Sequence, residues 1–181
     1  MSRLHIPTSI EASPATAQPL LEAVRKQLGG VPNLFRLIAS SPAALEGYLG
    51  LSGALGRGKL DARTRARLAL VVAEENGCDY CLSAHTALGK LARLDDAEMT
   101  ANRDAASSDP AAAAALRFAA QVVRQRGRVS DADLAAVRAA GHDDAAIVEI
   151  VLHVALNTLT NYVNTVAATE VDFPLVSHRP R

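Results

Sequence analysis

Apolar side chains recur at helical spacing along most of this chain, and glycine or a capping residue ends nearly every such segment. In residues 16–28, for example, the leucines and Val24 share one helical face, and the pair Gly29-Gly30 ends the segment. No segment shows the two-residue alternation and hairpin turns of a β-strand. The spacing therefore predicts an all-α fold, a compact helical domain of about eight helices. The predicted helices cover residues 16–28, 32–38, 41–55, 61–76, 79–93, 110–125, 131–140 and 143–169.

A chain of 181 residues, 49% of them apolar, can bury one core, so we expect a single domain over residues 1–181. Alanine is abundant, aromatic residues make up only 3% and tryptophan is absent, a composition that favours closely packed helices. We predict an extended arm at residues 1–13 and an extended tail at residues 170–181. The polar stretch 94–109 is interpreted as a loop with one helical turn at 97–102.

The 19 basic and 19 acidic residues give a formal net charge of zero. Such a chain lacks the basic surface that holds a phosphate backbone, so nucleic acid is not an expected partner. Little charge repulsion opposes self-association. No apolar run approaches the roughly 18 residues that span a membrane, and the N-terminus MSRLHIPTSIEAS lacks the apolar stretch of a signal peptide. We therefore expect a cytoplasmic protein that does not enter a membrane.

The reactive side chains are concentrated in residues 74–85, EENGCDYCLSAH. Cys78 and Cys81 are the only cysteines, and in a reducing cytosol such a pair is more often catalytic, redox-active or metal-binding than structural. A structural zinc ion takes four ligands, usually from two separate elements. Here the candidate ligands lie along one helical stripe, and no other histidines form a paired ligand spacing. The sequence therefore favours redox chemistry over metal binding.

A break in the helix is predicted directly before the first cysteine. Asn76-Gly77 is a helix-stop signal, and Asp79 can cap a new helix after it. Both cysteines then occupy the first turn, where free N–H groups and the helix dipole favour a thiolate. His85 lies one turn after the second cysteine, within reach of its sulfur. We expect this redox core to occupy residues 61–93.

These residue types are suited to peroxide reduction. A thiolate cleaves the O–O bond if the departing oxygen receives a proton, and His85 can take the proton of Cys81 and return it to that oxygen. Cys81 then carries a sulfenic acid, with which Cys78 can condense to a disulfide. Glu74, or with less weight Glu75, is the candidate to orient the imidazole or relay protons after folding back from the preceding helix.

Polar residues outside this core are interpreted as structural. A solvated helix face is expected for Arg63, Arg65 and Arg67. On the last helix, a water-facing stripe, a helix–helix seam or a subunit contact is favoured over chemistry for His153, Asn157, Asn161 and Asn164.

The spacing E-x-x-x-C-x-x-C-x-x-x-H on alanine-rich helices resembles the alkylhydroperoxidase D-like group of the carboxymuconolactone decarboxylase superfamily. The core LALVVAEENGCDYCLSAHTALGK and the flanks GGVPNLFRLIASSPAALEGYL and LNTLTNYVNTVAATEVDFP are similar to its peroxidase-related members, over most of residues 25–175. The resemblance implies an all-helical homo-oligomer, trimer-based or a hexamer, that reduces a hydroperoxide without metal, flavin or haem. In that pattern Cys81 attacks the peroxide, Cys78 resolves the product, and His85 is the motif histidine.

Two positions depart from the pattern of the best-known members. Tyr80 stands where they carry a histidine; it is interpreted as a cover for apolar surface rather than as a donor to substrate. Ala66 stands where they carry the relay glutamate, so Glu74 is the substitute. The expected electron donor is a thiol reductant protein or a small thiol. Lactone decarboxylation is disfavoured because that branch of the superfamily lacks the C-x-x-C pair.

Two other interpretations stay open at this point. A dithiol–disulfide oxidoreductase or redox sensor without peroxide specificity would form the same disulfide but exchange it with protein disulfides. A non-enzymatic helical assembly module would carry two ordinary thiols with pKa values near about 8.5.

Overall fold

The computed structural model describes residues 2–180, which form nine α-helices and no β-strand. In chain order they are α1 (Gln18–Leu28), α2 (Asn33–Ile38), α3 (Pro42–Leu55), α4 (Ala62–Glu75), α5 (Asp79–Gly89), α6 (Asp96–Arg103), α7 (Pro110–Arg124), α8 (Asp131–Ala139) and α9 (Asp144–Ala167). The all-α fold predicted from periodicity is confirmed. The described helices number nine rather than about eight.

The additional helix, α6, lies in the stretch that the sequence analysis interpreted as a loop with one turn. Asp95 is its N-cap and accepts a hydrogen bond from the backbone N–H of Glu98 at 2.7 Å. Glu98, Met99 and Asn102 are buried on its inner face. Because those buried residues are mostly polar, apolar periodicity did not reveal the helix. The adjacent helix α5 ends at Gly89, four residues before the predicted end.

Helix α4 is the central element and packs against α5, α6, α7 and α9. Leu68, Val71 and Val72 contribute to an apolar cluster with α7 and α9. On its other side, Leu70 and Ala73 contribute to a second cluster, which contains both cysteines and residues of α1, α2 and α3. The redox segment is therefore joined to the core of the fold and is not a surface loop.

One residue of the predicted solvated arginine face is buried, so that interpretation is corrected. Arg63 is exposed as expected, but the side chain of Arg67 is only 4% exposed. Its Nε donates to Oε1 of Glu98 at 2.8 Å. The ion pair compensates the charge that burial would otherwise leave unpaired. It joins α4 to α6.

Residues 170–180, here called the C-terminal strap, are non-helical as predicted but pack on the redox segment. The backbone N–H of Val176 donates to Oγ of Ser83 at 2.9 Å. The backbone N–H of His178 donates a hydrogen bond to Oδ1 of Asp79 at 2.8 Å. These bonds fix the strap across the first turns of α5.

Among the helices of residues 2–180, α9 is the one long and apolar enough to cross a membrane, with a mean hydropathy of 1.4 over its best window. Half of that window is buried inside the fold, a pattern that core helices also show. The opposite face exposes apolar side chains, which include Val148, Leu159, Tyr162 and Val166. Self-association as a trimer-based assembly or hexamer stays a prediction.

Candidate active site

The predicted break between two helices is confirmed at Asn76-Gly77. Helix α4 ends at Glu75, and Gly77 has φ 63°, a left-handed conformation that favours glycine. The N-cap of α5 is Cys78 rather than the predicted Asp79, and its sulfur accepts a hydrogen bond from the backbone N–H of Cys81 at 3.4 Å. Asp79 is instead the first residue of α5 and binds His178 of the strap.

The two cysteines are both buried and reduced, but their thiols differ in acidity. The Cys78 thiol, donating to the Cys81 sulfur, is the main cause that lowers the pKa of Cys81 to about 7; burial opposes the shift, and Asn161, Asn164 and Thr160 reinforce it. The same hydrogen bond, together with burial, raises the pKa of Cys78. At neutral pH the negative charge therefore resides on Cys81.

A cavity of about 460 Å³ lies in front of Cys81. It is formed by α1, α2, α3, α5, α9 and the strap, and both Cys81 and His85 line it. Its walls are mostly apolar, with side chains that include Leu28, Val31, Leu34, Phe35, Leu49 and Phe173. The nucleophilic sulfur thus borders a space of the size that binds small organic molecules.

The structure brings His85 to this cavity, as the sequence predicts, and half-buries it there. Burial lowers the pKa of His85 to about 4, so the imidazole is neutral at physiological pH. Among residues 2–180, no partner forms a hydrogen bond with this ring. A neutral imidazole offers one donor and one acceptor, and both remain available to a bound molecule.

The predicted return of Glu74 toward the thiols is not observed. Its buried carboxylate accepts from Nε of Arg103 at 2.6 Å and from the backbone N–H of Arg179 at 2.8 Å, and it does not line the cavity. Glu75 pairs with Arg124 at 2.6 Å, also away from the cavity. The end of α4 directs both carboxylates toward cationic partners on other elements, which hold them there.

Tyr80 packs as the sequence analysis favoured. Its ring contacts that of Phe173 edge to face, with centroids 5.9 Å apart, and its hydroxyl oxygen accepts the backbone N–H of Leu34 at 3.0 Å. Burial raises the pKa of Tyr80, so the phenol is neutral. This side chain holds the start of α2 and the strap against the cavity wall.

The sequence analysis assigned no chemistry to α9, yet two of its asparagines lie at Cys81. The polar stripe is buried rather than water-facing, and the seam interpretation holds for one contact, in which Asn76 donates to Asn161 at 2.8 Å. Asn164, however, donates its Nδ2 to the sulfur of Cys81 at 3.2 Å. Amides on an otherwise apolar helix face were the available signal, because a buried amide needs a partner.

Tyr48 of α3 also belongs to the site, although nothing in the sequence singled it out. It lines the cavity, and burial raises its pKa to about 12, with a smaller contribution from the negative charge of Cys81. A neutral phenol beside the thiolate is a potential hydrogen-bond donor to a substrate oxygen.

No group of three or more His, Cys, Asp or Glu residues that could hold a metal ion occurs in residues 2–180. A metal-free reaction stays a prediction, made from the residue types and their spacing.

Comparison with known proteins relates part of the chain to one family. Residues 42–121 match the model of the carboxymuconolactone decarboxylase family, and solved structures of alkylhydroperoxidase D-like proteins share the whole fold. The chain resembles the alkylhydroperoxidase D-like group of the carboxymuconolactone decarboxylase superfamily in this stretch and in its fold. No curated protein matches it at a significant level.

Three solved structures illustrate the likeness of fold. A peroxidase-related protein from Silicibacter sp. TM1040 is 26% identical with a TM-score of 0.82, covering 93% of this chain and 91% of its own. The alkylhydroperoxidase AhpD core of a peroxidase-related protein from Ralstonia eutropha JMP134 is 24% identical with a TM-score of 0.84, covering 94% and 92%. A variant of the debrominase Bmp8 in complex with 2,3,4-tribromopyrrole is 19% identical with a TM-score of 0.81, covering 95% and 93%.

Proposed function

We propose that this alkylhydroperoxidase D-like protein is a thiol-dependent peroxidase that reduces an organic hydroperoxide. One observation carries the proposal. The sulfur of Cys81, the more acidic of the pair, borders a mostly apolar cavity, while the thiol of Cys78, which does not line that cavity, donates a hydrogen bond to it. The nucleophile thus meets the substrate first, and the resolving thiol is already in contact with it.

The reaction balances with these two residues and one proton carrier. The Cys81 thiolate attacks the terminal oxygen of the hydroperoxide, the O–O bond breaks, and the alkoxide leaves as an alcohol after taking the proton that Cys81 released. Cys81 then carries a sulfenic acid. The Cys78 thiol attacks that sulfur, a disulfide forms and water leaves. A dithiol reductant, or two small thiols, returns two electrons and two protons and is itself oxidised to a disulfide.

The proton carrier that we assign is His85. Its pKa of about 4 makes it a weak base, so it holds the proton only transiently between Cys81 and the leaving alkoxide. Once protonated it is a strong acid, which favours release to the alkoxide. We assign no relay to Glu74, because Arg103 and the strap occupy its carboxylate.

The cavity supports a small, largely apolar substrate. Its volume of about 460 Å³ is within the range of small-molecule sites, and its leucine, valine and phenylalanine walls favour an alkyl or aryl hydroperoxide over hydrogen peroxide. The cysteines are only 3% and 2% exposed. A disulfide on a folded protein would not reach them, which disfavours a general disulfide oxidoreductase.

The test is rapid mixing of the reduced protein with cumene hydroperoxide or hydrogen peroxide, followed by mass spectrometry. We expect one equivalent of the organic peroxide to convert the wild type to the Cys78–Cys81 disulfide, faster than hydrogen peroxide does. Cys78→Ser should stop at a sulfenic acid on Cys81 that dimedone traps. Cys81→Ser should react with the peroxide at least about 100-fold more slowly than the wild type. The proposal is wrong if Cys81→Ser keeps the wild-type rate.

The likeness in fold to Bmp8 favours a second candidate, reductive debromination. The same dithiol supplies two electrons, so a brominated ring would exchange bromine for hydrogen while the cysteines form a disulfide and bromide is released. Incubation of the reduced protein with 2,3,4-tribromopyrrole would measure this directly. Bromide release without peroxide consumption would replace the peroxidase assignment.

A further inference from the structure

We propose that Asn161 and Asn164 of α9 form an amide cradle that holds the negative charge of the Cys81 sulfur, with Asn76 as the residue that positions Asn161. This inference rests on the proposed function only in taking Cys81 as the nucleophile.

Asn164 makes one side-chain hydrogen bond, and that bond goes to sulfur. The residue is 2% exposed, and its Nδ2 lies 3.2 Å from Sγ of Cys81. Its Oδ1 is buried without a partner in the described part of the chain. A leucine would fill nearly the same volume without that unsatisfied oxygen. The amide therefore destabilises the fold unless its N–H donates a hydrogen bond to an anionic sulfur at Cys81.

Asn161 presents a donor to the same sulfur. It is fully buried, and its Oδ1 accepts from Nδ2 of Asn76 at 2.8 Å. That bond fixes which end of the amide faces Asn76, so Nδ2 is left as the free end. No partner within hydrogen-bond range satisfies this Nδ2 in residues 2–180, and Asn161 contributes to lowering the pKa of Cys81. An ionised sulfur at Cys81 would give this donor an acceptor.

Asn76 connects the cradle to the break between α4 and α5. It is the C-cap of α4, and its Nδ2 also approaches Oγ1 of Thr158 at 3.2 Å. The residue that ends α4 in front of the cysteines thus also sets the orientation of an amide on α9. The break and the cradle are one unit, although they are far apart in the chain.

The charge around Cys81 makes these neutral donors important. Among the residues that line the cavity there is no lysine or arginine. The titratable groups facing the site are Cys78 and the neutral His85 on the α5 segment, Tyr48 on α3, Tyr80, and Asp172 on the strap, and none of them is a cation. The sulfur therefore depends on dipoles, from Cys78, the α5 N-terminus and the cradle, rather than on a cation.

The cradle also favours the reduced protein. When Cys81 forms a disulfide its sulfur loses the negative charge, and the amide donors lose a strong acceptor in a buried place. Stabilising the thiolate relative to the disulfide makes the disulfide more oxidising. The cradle would thus both activate the nucleophile and ease the return of the disulfide to the dithiol.

The experiment measures the ionisation of Cys81 apart from turnover. The ultraviolet absorbance of the thiolate is titrated in Cys78→Ser, which leaves one thiol, and in the same background with Asn164→Leu, Asn161→Leu or Asn164→Asp. The matched control is Asn157→Leu, a buried asparagine of the same stripe whose amide donates to the backbone oxygen of His153 instead. Circular dichroism checks that each variant is folded.

We expect Asn164→Leu and Asn161→Leu each to raise the pKa of Cys81 by about one unit, a hydrogen bond to a charged group being worth about that much. Asn164→Asp, of the same shape, should raise it further because a carboxylate repels the thiolate. Asn157→Leu should leave it unchanged. In the protein that keeps both cysteines, Asn164→Leu should make the Cys78–Cys81 disulfide about tenfold harder to reduce at equilibrium with dithiothreitol. Its reduction potential would then be about 30 mV more negative than that of the wild type.

The cradle is overturned if Asn164→Leu and Asn161→Leu titrate like Asn157→Leu. If leucine at position 164 prevents folding, the same-shaped Asn164→Asp decides the question, and an unchanged titration there also overturns it. A shifted pKa in a protein that reduces no hydroperoxide would support the cradle and reject the peroxidase. An unshifted pKa in an active peroxidase would do the reverse.

Discussion

The carboxylate of Glu98 and the sulfur of Cys81 are both buried anionic centres in this fold, and the chain surrounds them in opposite ways. Glu98 accepts hydrogen bonds from Arg67, Asn102, Ser107 and Ser108, so both of its oxygens are satisfied. Around Cys81, by contrast, a potential donor, Nδ2 of Asn161, has no partner in residues 2–180, whereas the unpartnered amide atom beside Glu98 is an oxygen, Oδ1 of Asn102, which cannot donate.

The difference separates a structural centre from a reactive one. A saturated carboxylate has no capacity left for a ligand, and its bonds join α4, α6 and the loop after α6. A sulfur beside a cavity, with one amide donor that lacks an acceptor and an imidazole that lacks a partner in residues 2–180, keeps hydrogen-bonding capacity for a substrate oxygen. Burial alone does not identify the reactive centre, since both groups are buried.

The largest effect that tests this contrast is the loss of stability on Glu98→Gln. The substitution leaves the buried Arg67 guanidinium with only the exposed carboxylate of Asp109, 3.8 Å away, as a counter-charge, and we expect the free energy of unfolding to fall by about 3 kcal/mol. Urea unfolding measures it, with the exposed Glu46→Gln as the matched control. A loss below about 1 kcal/mol would mean that the network is dispensable.

The loss of stability at acid pH should depend on the same hydrogen bonds around Glu98. Desolvation opposes ionisation of Glu98, but hydrogen bonds from Ser107, Ser108 and Asn102 outweigh it and lower the pKa to about 2. Because this is below the unfolded value of about 4.3, the contribution is complete above about pH 4 and is lost between about pH 4 and pH 2. We expect wild-type stability to fall there by about 2–3 kcal/mol more than that of Glu98→Gln.

Glu74→Gln distinguishes an anchor from a proton relay. We expect stability to fall by about 1–3 kcal/mol, because Arg103 and the strap lose a charged acceptor. The rate of peroxide reduction should change by no more than about threefold, since Glu74 does not line the cavity. A rate about 100-fold lower in a folded variant would restore the relay role.

The pH dependence of Cys81 follows from its pKa of about 7. The thiolate is the nucleophile, so alkylation by iodoacetamide should rise about tenfold per pH unit below that point and level off above it. His85, with a pKa of about 4, should add no second inflection near neutrality. His85→Asn should slow peroxide reduction while leaving the alkylation midpoint unchanged; a midpoint that moves by a unit would make the imidazole part of thiolate stabilisation.

The smallest expected effect completes the comparison. Asn164→Leu removes one hydrogen bond and one unsatisfied oxygen, so the two changes nearly cancel in the free energy of unfolding, which should move by less than about 1 kcal/mol. Thermal and urea unfolding both measure it. A loss as large as that of Glu98→Gln would show that the asparagine is as structural as the carboxylate.

The sequence by itself determined eight of the nine described helices and the reactive motif, because the information for both is local. Helix ends are set by residues within one turn, as at Asp61 and Ser130, whose side chains cap α4 and α8. The cysteines and His85 lie within one short segment of the chain, so their spacing places them together on any helix.

Only the tertiary structure decided which polar groups meet. Asn164 is 83 residues from Cys81 and Glu74 is 105 residues from Arg179. Contacts between residues so distant in sequence depend on how the helices pack. The sequence therefore predicted a structural role for the asparagines of α9 and a position near the thiols for Glu74. Helix propensity and capping act between neighbours in sequence, whereas burial and hydrogen-bond satisfaction depend on every element that surrounds a site.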